Sequence, residues 1–141
     1  MVIGLMLMIG AISAGLAAAA ASSLSGRTTL ETIRKREWAA DGAIERAIMQ
    51  VRPLDCSSLT GVTQDTTNLV AIRVDWATDC SRGVSSSDGT NYLQRNVVFS
   101  ACLDTLSQCL IANVITRAQV NFEPRTGTVT KTVVQSWSVN R

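Results

Sequence analysis

The chain opens on 25 residues, MVIGLMLMIGAISAGLAAAAASSLS, that contain no Asp, Glu, Lys, Arg or Pro; the first charge is Arg27. About 20 apolar residues rising 1.5 Å each cross a hydrocarbon core of about 30 Å, so this run predicts a membrane-spanning helix. A secretory signal peptide fits less well. No basic residue precedes the run, and it outlasts the usual apolar core of roughly 7–15 residues, although Ala17–Ser22 mimics an A-x-A cleavage site. The helical pattern then continues. Leu30, Ile33, Glu37, Ala40, Ile44, Ala47, Ile48 and Val51 step by three and four and form one mostly apolar face. Glu31 and Lys35 are an i,i+4 pair in the favourable order. Pro53 ends the pattern. The expectation is one helix from residue 1 to about residue 52, apolar all round in residues 1–26 and amphipathic in residues 27–52.

Beyond the helix the period changes to two. Residues 53–67 read as a polar loop. Asn68–Trp76 reads as a strand with Val70, Ile72, Val74 and Trp76 on the buried face. The Ser/Gly/Asp-rich residues Ala77–Asn91 read as a surface loop. Tyr92–Cys102 and Cys109–Glu123 supply two further strands, the latter with an irregular turn at or before it. Pro124–Gly127 is a tight connection, and Thr128–Asn140 is the last strand, with Val129, Val133, Trp137 and Val139 sharing a face. Short links favour antiparallel neighbours, and a one-sided sheet needs a cover. The predicted class is α+β: a helix spine with a four-stranded antiparallel sheet on its C-terminal half, residues 53–141 forming one β-rich domain.

Charge and composition narrow the function. A net charge of +2 gives no electrostatic case for nucleic acid, and none is expected as a partner. The absence of His removes the commonest general base and metal ligand. No phosphate-binding, dinucleotide or nucleophile-elbow motif is present, so no catalytic residue, cofactor or metal site is assigned. The four cysteines, Cys56, Cys80, Cys102 and Cys109, all follow the helix and read as two disulfides in an oxidising compartment. Of the three connectivities, Cys102–Cys109 on a hairpin with Cys56–Cys80 is favoured; the second would close a loop worth about 3 kcal/mol by chain entropy. Zinc is disfavoured, since there is no C-x2-C unit. The basic cluster Arg27, Arg34, Lys35 and Arg36 follows the apolar run, which by the positive-inside rule would place the cysteines in the cytoplasm. The conflict is resolved if the chain is a processed product that has lost a basic leader.

These residues together resemble the processed type IV pilin-like proteins, the pilins and pseudopilins. The likeness lies in the extreme N-terminal apolar helix, the continuation WAADGAIERAIMQVR ending at Pro53, the sheet with a cysteine-bearing hairpin, and the final strand SWSVNR. It covers the whole chain by layout, closer to minor than to major pilins. It implies leader removal by a prepilin peptidase, with Met1 as the processed and often methylated terminus. It further implies storage in the cytoplasmic membrane and ATPase-driven assembly with other pilus subunits into a surface filament serving adhesion or motility. The filament-core residues would be Val2, Ile3, Leu5, Leu7, Ile9, Ile12 and Leu16. One departure stands out: family members usually carry Glu at the fifth position, where this chain has Leu5.

The alternatives are a monomeric, single-pass anchored binding domain using loops 57–67 and 81–91, or a minor or tip pseudopilin of a secretion or DNA-uptake system. DNA uptake would need Arg82, Arg95, Arg117 and Arg125 gathered into a groove. Gly4, Gly10 and Gly15 with the neighbouring alanines permit close helix packing, or simply fill an anchor. Ser22–Gly26 marks a segment that could unwind in a filament, or a plain helix leaving the membrane. Arg34–Arg36 reads as a solvated face before a headgroup site, and Trp38 and Trp137 read as helix-to-sheet packing.

Overall fold

In the computed structural model the described residues are 2–54, 56–66, 70–85, 91–125 and 128–140, with backbone alone for 2–25, 81–85, 91–93, 124–125 and 128–130. The chain divides into two compact units, Met1–Lys35 and Arg36–Arg141. One helix, α1 (Val2–Val51), begins in the first and ends in the second. Its sequence carries no Pro, and Ala and unbranched side chains dominate, so little rotamer freedom is lost in forming it.

In the first unit every described side chain, from Gly26 to Lys35, is exposed. Leu30 is 60% and Ile33 is 44% accessible. The apolar face predicted to begin at Leu30 is therefore covered only from Ala39 onward. Among the described residues no helix is long and apolar enough to cross a membrane. The apolar run on which that expectation rests lies outside the described side chains.

In the second unit Ala39, Ala40, Ala43, Ile44, Ala47 and Val51 pack into one core with sheet residues Ile72, Val74, Trp76, Val97, Phe99, Val120 and Phe122. Four of the six helix residues are alanines, so backbone and sheet approach closely, and the two phenylalanines fill the core. Burial of one such aromatic stabilises by about 3 kcal/mol. The helix has no basic residue in its last turn. The cation that its C-terminal carbonyls favour comes instead from the sheet. Arg95 Nη2 donates to Val51 O at 2.8 Å and to Arg52 O at 3.1 Å. Its guanidinium also lies 4.8 Å from the centre of the Phe122 ring. Arg95 is 3% accessible, which removes it from any exposed basic groove.

The sheet corrects the sequence reading. It has five strands, not four, in the antiparallel order β1 (Thr60–Asp65), β2 (Ile72–Ser85), β3 (Asn91–Leu103), β4 (Thr116–Arg125) and β5 (Thr128–Val139). The added strand, β1, lies within the stretch read as a polar loop. Its sequence TGVTQD hides the strand signal: Gly61 stands where an apolar residue would face the core, and Val62 is exposed. A Cβ at Gly61 would lie 2.3 Å from the Trp76 ring, so the indole occupies the space a side chain would take. Asp65, at the strand's buried end, is held by an ion pair with Arg46 of α1. Strand β2 runs on to Ser85, through residues also read as loop, with a bulge between Asp79 and Arg82. A 3-10 turn, η1 (Ile111–Asn113), precedes β4.

A further correction concerns the last strand. Gln119 pairs with Ser136 and Val120 with Val134, so Gln135 is an extra residue. The bulge switches the alternation. Val134 and Trp137 therefore stand across from the buried Val120 and Ala118, whereas Val133 stands across from Asn121 on the other face. Both disulfides are formed as Cys56–Cys80 and Cys102–Cys109. The first ties the segment after α1 to the β2 bulge, and the second closes the β3–β4 connection.

Candidate functional site

Two surfaces of the second unit carry unusual side chains. The first is the side of α1 turned away from the sheet. Trp38 and Met49, each 75% accessible, lie on this side, opposite the buried Ala43 and Ala47. The expectation that Trp38 packs helix against sheet is thus overturned. Being 100° per residue from its neighbours, it falls on the far side from the buried stripe. Trp137 remains at the boundary: its Nε1 donates to Asp41 Oδ1 at 3.1 Å, linking β5 to the helix. Glu37, Asp41 and Glu45 follow one another at i,i+4 spacing. Like charges at that spacing oppose an isolated helix by about 0.2–0.5 kcal/mol per pair. The preceding ten residues, 27–36, hold four basic side chains against the single Glu31. In sequence, residues 27–36 of α1 are therefore net basic and residues 37–45 net acidic.

The second surface is the sheet face not covered by α1. Its residues alternate with the core: Arg73, Asp75 and Ala77 on β2, Asn96, Val98 and Ser100 on β3, and Arg117, Gln119 and Asn121 on β4. At one end the disulfide-closed connection is anchored through Asp75, which accepts from Arg73 Nε at 2.7 Å and from the Cys109 backbone N–H at 2.8 Å. Beside it lies a cleft of about 310 Å³ lined by residues including Cys109, Ile111, Arg117 and Ser138. Further along the face is a second cleft of about 320 Å³, lined by Asp79, Gln94, Asn96, Gln119 and Gln135 with Ala77, Thr78 and Val98. Asn96 Oδ1 and Thr78 Oγ1 in this cleft, and the neighbouring Asn121 Oδ1, are buried without a hydrogen-bond partner. A carboxamide-rich cleft of this kind offers donors and acceptors to a neutral polar ligand.

The sites expected from sequence fall differently. Cys56, Cys80, Cys102 and Cys109 are brought together as the two favoured pairs. Met1 lies outside the described residues, as do the side chains of Val2, Ile3, Leu5, Leu7, Ile9, Ile12 and Leu16. The same holds for the Gly4, Gly10 and Gly15 surface. The contact loop 57–67 contains β1, and in 81–91 residues 81–85 belong to β2 and Asn91 begins β3, while 86–90 lie outside the described residues. Of the four arginines named for a groove, Arg95 is buried, Arg117 is exposed, and the side chains of Arg82 and Arg125 lie outside the described residues. The polar clefts had one signal in the sequence, the Gln94/Asn96 and Gln119/Asn121 pairs at alternate strand positions. Among the described residues no group of three His, Cys, Asp or Glu side chains could hold a metal ion. No protein-family model, no curated protein and no solved structure matches the chain.

Proposed function

We propose that the chain is a structural, non-enzymatic subunit of an extracellular type IV pilus-like filament, held in the cytoplasmic membrane before assembly and polymerising through α1. The observation that carries the reading is the contrast within α1. Helical residues 26–36 expose every side chain, Leu30 and Ile33 included, and they follow an apolar run of 25 residues. Helix stability in water comes mainly from burying a face, so such a segment calls for a cover. Copies of the same helix supply that cover in a bundle. Two disulfides suit a subunit displayed outside the cell.

The test is electron microscopy of filaments sheared from producing cells, with mass spectrometry of the N-terminal peptide. A helical array of this chain with helices at its centre supports the reading. A monomer left in the detergent-soluble membrane fraction overturns it. That outcome favours the second reading, an anchored binding domain, for which the carboxamide cleft of about 320 Å³ is the contact surface.

A further inference from the structure

The sheet face not covered by α1 holds a cleft of about 320 Å³ lined mainly by carboxamides. Two cross-strand rows cross it. Asp79 of β2, Asn96 of β3 and Asn121 of β4 stand side by side in one, and Ala77, Val98, Gln119 and Ser136 run from β2 to β5 in the next. The strands are irregular on both sides of the cleft. The β2 ladder shifts between Asp79 and Arg82, and Gln135, which lines the cleft, is the extra residue of the β5 bulge. Bulges re-aim side chains and are over-represented beside functional sites. The Cys56–Cys80 bond ties down the first of them. Polar atoms at the cleft are left over as well. Asn96 Oδ1 and Thr78 Oγ1, with Asn121 Oδ1 beside them, are buried without a hydrogen-bond partner, and Asn121 is 3% accessible. A buried acceptor without a partner destabilises a fold, so three of them around one cleft call for an explanation.

We infer that this cleft binds a neutral sugar, one hexopyranose ring of a glycan. The lining excludes the other common ligand classes. Asp79 is its single titratable group and no Lys or Arg is present, so a phosphate or carboxylate meets no counter-charge. No aromatic ring lines it, so a nucleobase has nothing to stack on. Gln94, Asn96, Gln119 and Gln135 each offer a carbonyl acceptor and an amide donor, and Asp79 adds acceptors. A pyranose matches that set, because every hydroxyl both donates and accepts, and its C–H face suits Ala77 and Val98. The volume is at the small end for ligand sites, which fits one ring. The terminal torsion of an Asn side chain is soft, so the Asn96 amide can turn Oδ1 toward a ligand hydroxyl and gain the partner it lacks. The inference gives a ligand class to the surface named for the anchored-domain reading, and it holds whether or not copies of the chain polymerise.

The test is a titration of the full chain, nitrogen-labelled and held in phosphocholine micelles that carry no sugar, followed by nuclear magnetic resonance. The probes are the methyl glycosides of glucose, galactose and N-acetylglucosamine, with inorganic phosphate as the anionic comparison. At least one glycoside should move the side-chain amide signals of Gln94, Asn96, Gln119 and Gln135 with a dissociation constant of about 1 mM or weaker, as suits one small ring held by hydrogen bonds, and phosphate should move none of them. Asn96→Leu replaces the unpartnered acceptor by an apolar group of similar size. It should weaken binding by roughly tenfold or more while the thermal midpoint stays level or rises, the signature of a polar group kept for a ligand. Gln135→Ala, at an exposed bulge, should weaken binding by several-fold and gives a second readout that does not depend on how Asn96→Leu folds. No response to any of the three glycosides up to roughly 50 mM, shifts confined to other residues, equal shifts with phosphate, or unchanged binding in both variants overturns the inference. Filament formation is scored separately by microscopy, so either reading can fail without the other.

Discussion

The two parts of α1 have similar helix propensity and opposite surroundings. Ala39–Val51 presents alanines and two branched aliphatics to a sheet that supplies Phe99, Phe122 and Trp76. Gly26–Arg36 presents Leu30 and Ile33 at the same spacing to nothing described. The comparison teaches that periodicity says which face of a helix is apolar, and the sheet's extent says how much of that face is covered. Small side chains on the covered part let the sheet approach. The larger ones on the uncovered part, Leu30 and Ile33, stand exposed.

The comparison can be broken at its strongest point by emptying the covered part. Phe99→Ala should destabilise the domain by about 3–5 kcal/mol, since transfer and cavity terms add at a fully buried ring. Denaturant unfolding of the full chain in detergent, followed by far-ultraviolet circular dichroism, measures this. A loss under 1 kcal/mol would mean that the ring is not the centre of the core. Arg95→Met retains the stem and removes the donor to Val51 O and Arg52 O. It should destabilise by about 1.5–3 kcal/mol, with faster amide exchange confined to the last turn of α1. Unchanged exchange there would remove Arg95 as the helix terminator. Gly61→Val forces the Trp76 indole out of its place and should destabilise by about 1–3 kcal/mol, with a red shift of tryptophan emission. At the other end of the scale, Leu30→Ala should change domain stability by no more than about 0.5 kcal/mol while lowering filament yield. A large stability loss there would show that Leu30 is covered within the monomer.

Much of the fold was legible, and the misses have identifiable causes. The end of α1 at Pro53, the antiparallel character of the sheet and the buried face of β2 follow from local chemistry, namely a helix breaker, short links and strict alternation. The missed strand β1 has no apolar alternation to detect, because its inward positions are Gly61, Thr63 and Asp65, two of them matched by distant groups. Trp76 fills the space at Gly61, and Arg46 pairs with Asp65. The misassigned face of β5 results from one extra residue, Gln135, which reverses the alternation expected for Val133. Of the candidate surfaces, the charge step along α1 can be read directly from residues 27–45. The carboxamide cleft cannot, because it assembles from Asp79, Asn96, Gln119 and Gln135 on four successive strands.

The sequence by itself determined a long helix with an apolar beginning, a β-rich remainder, a cysteine count suited to two disulfides, and a basic-to-acidic step in the helix. Each depends on neighbours in the chain or on composition alone. Only the tertiary structure decided that helix burial starts at Ala39, that Trp38 stands outside, that Arg95 closes the helix end, and that the sheet has five strands. Those outcomes depend on which side chain lies opposite which across the core, a relation between residues tens of positions apart that one-dimensional periodicity does not carry.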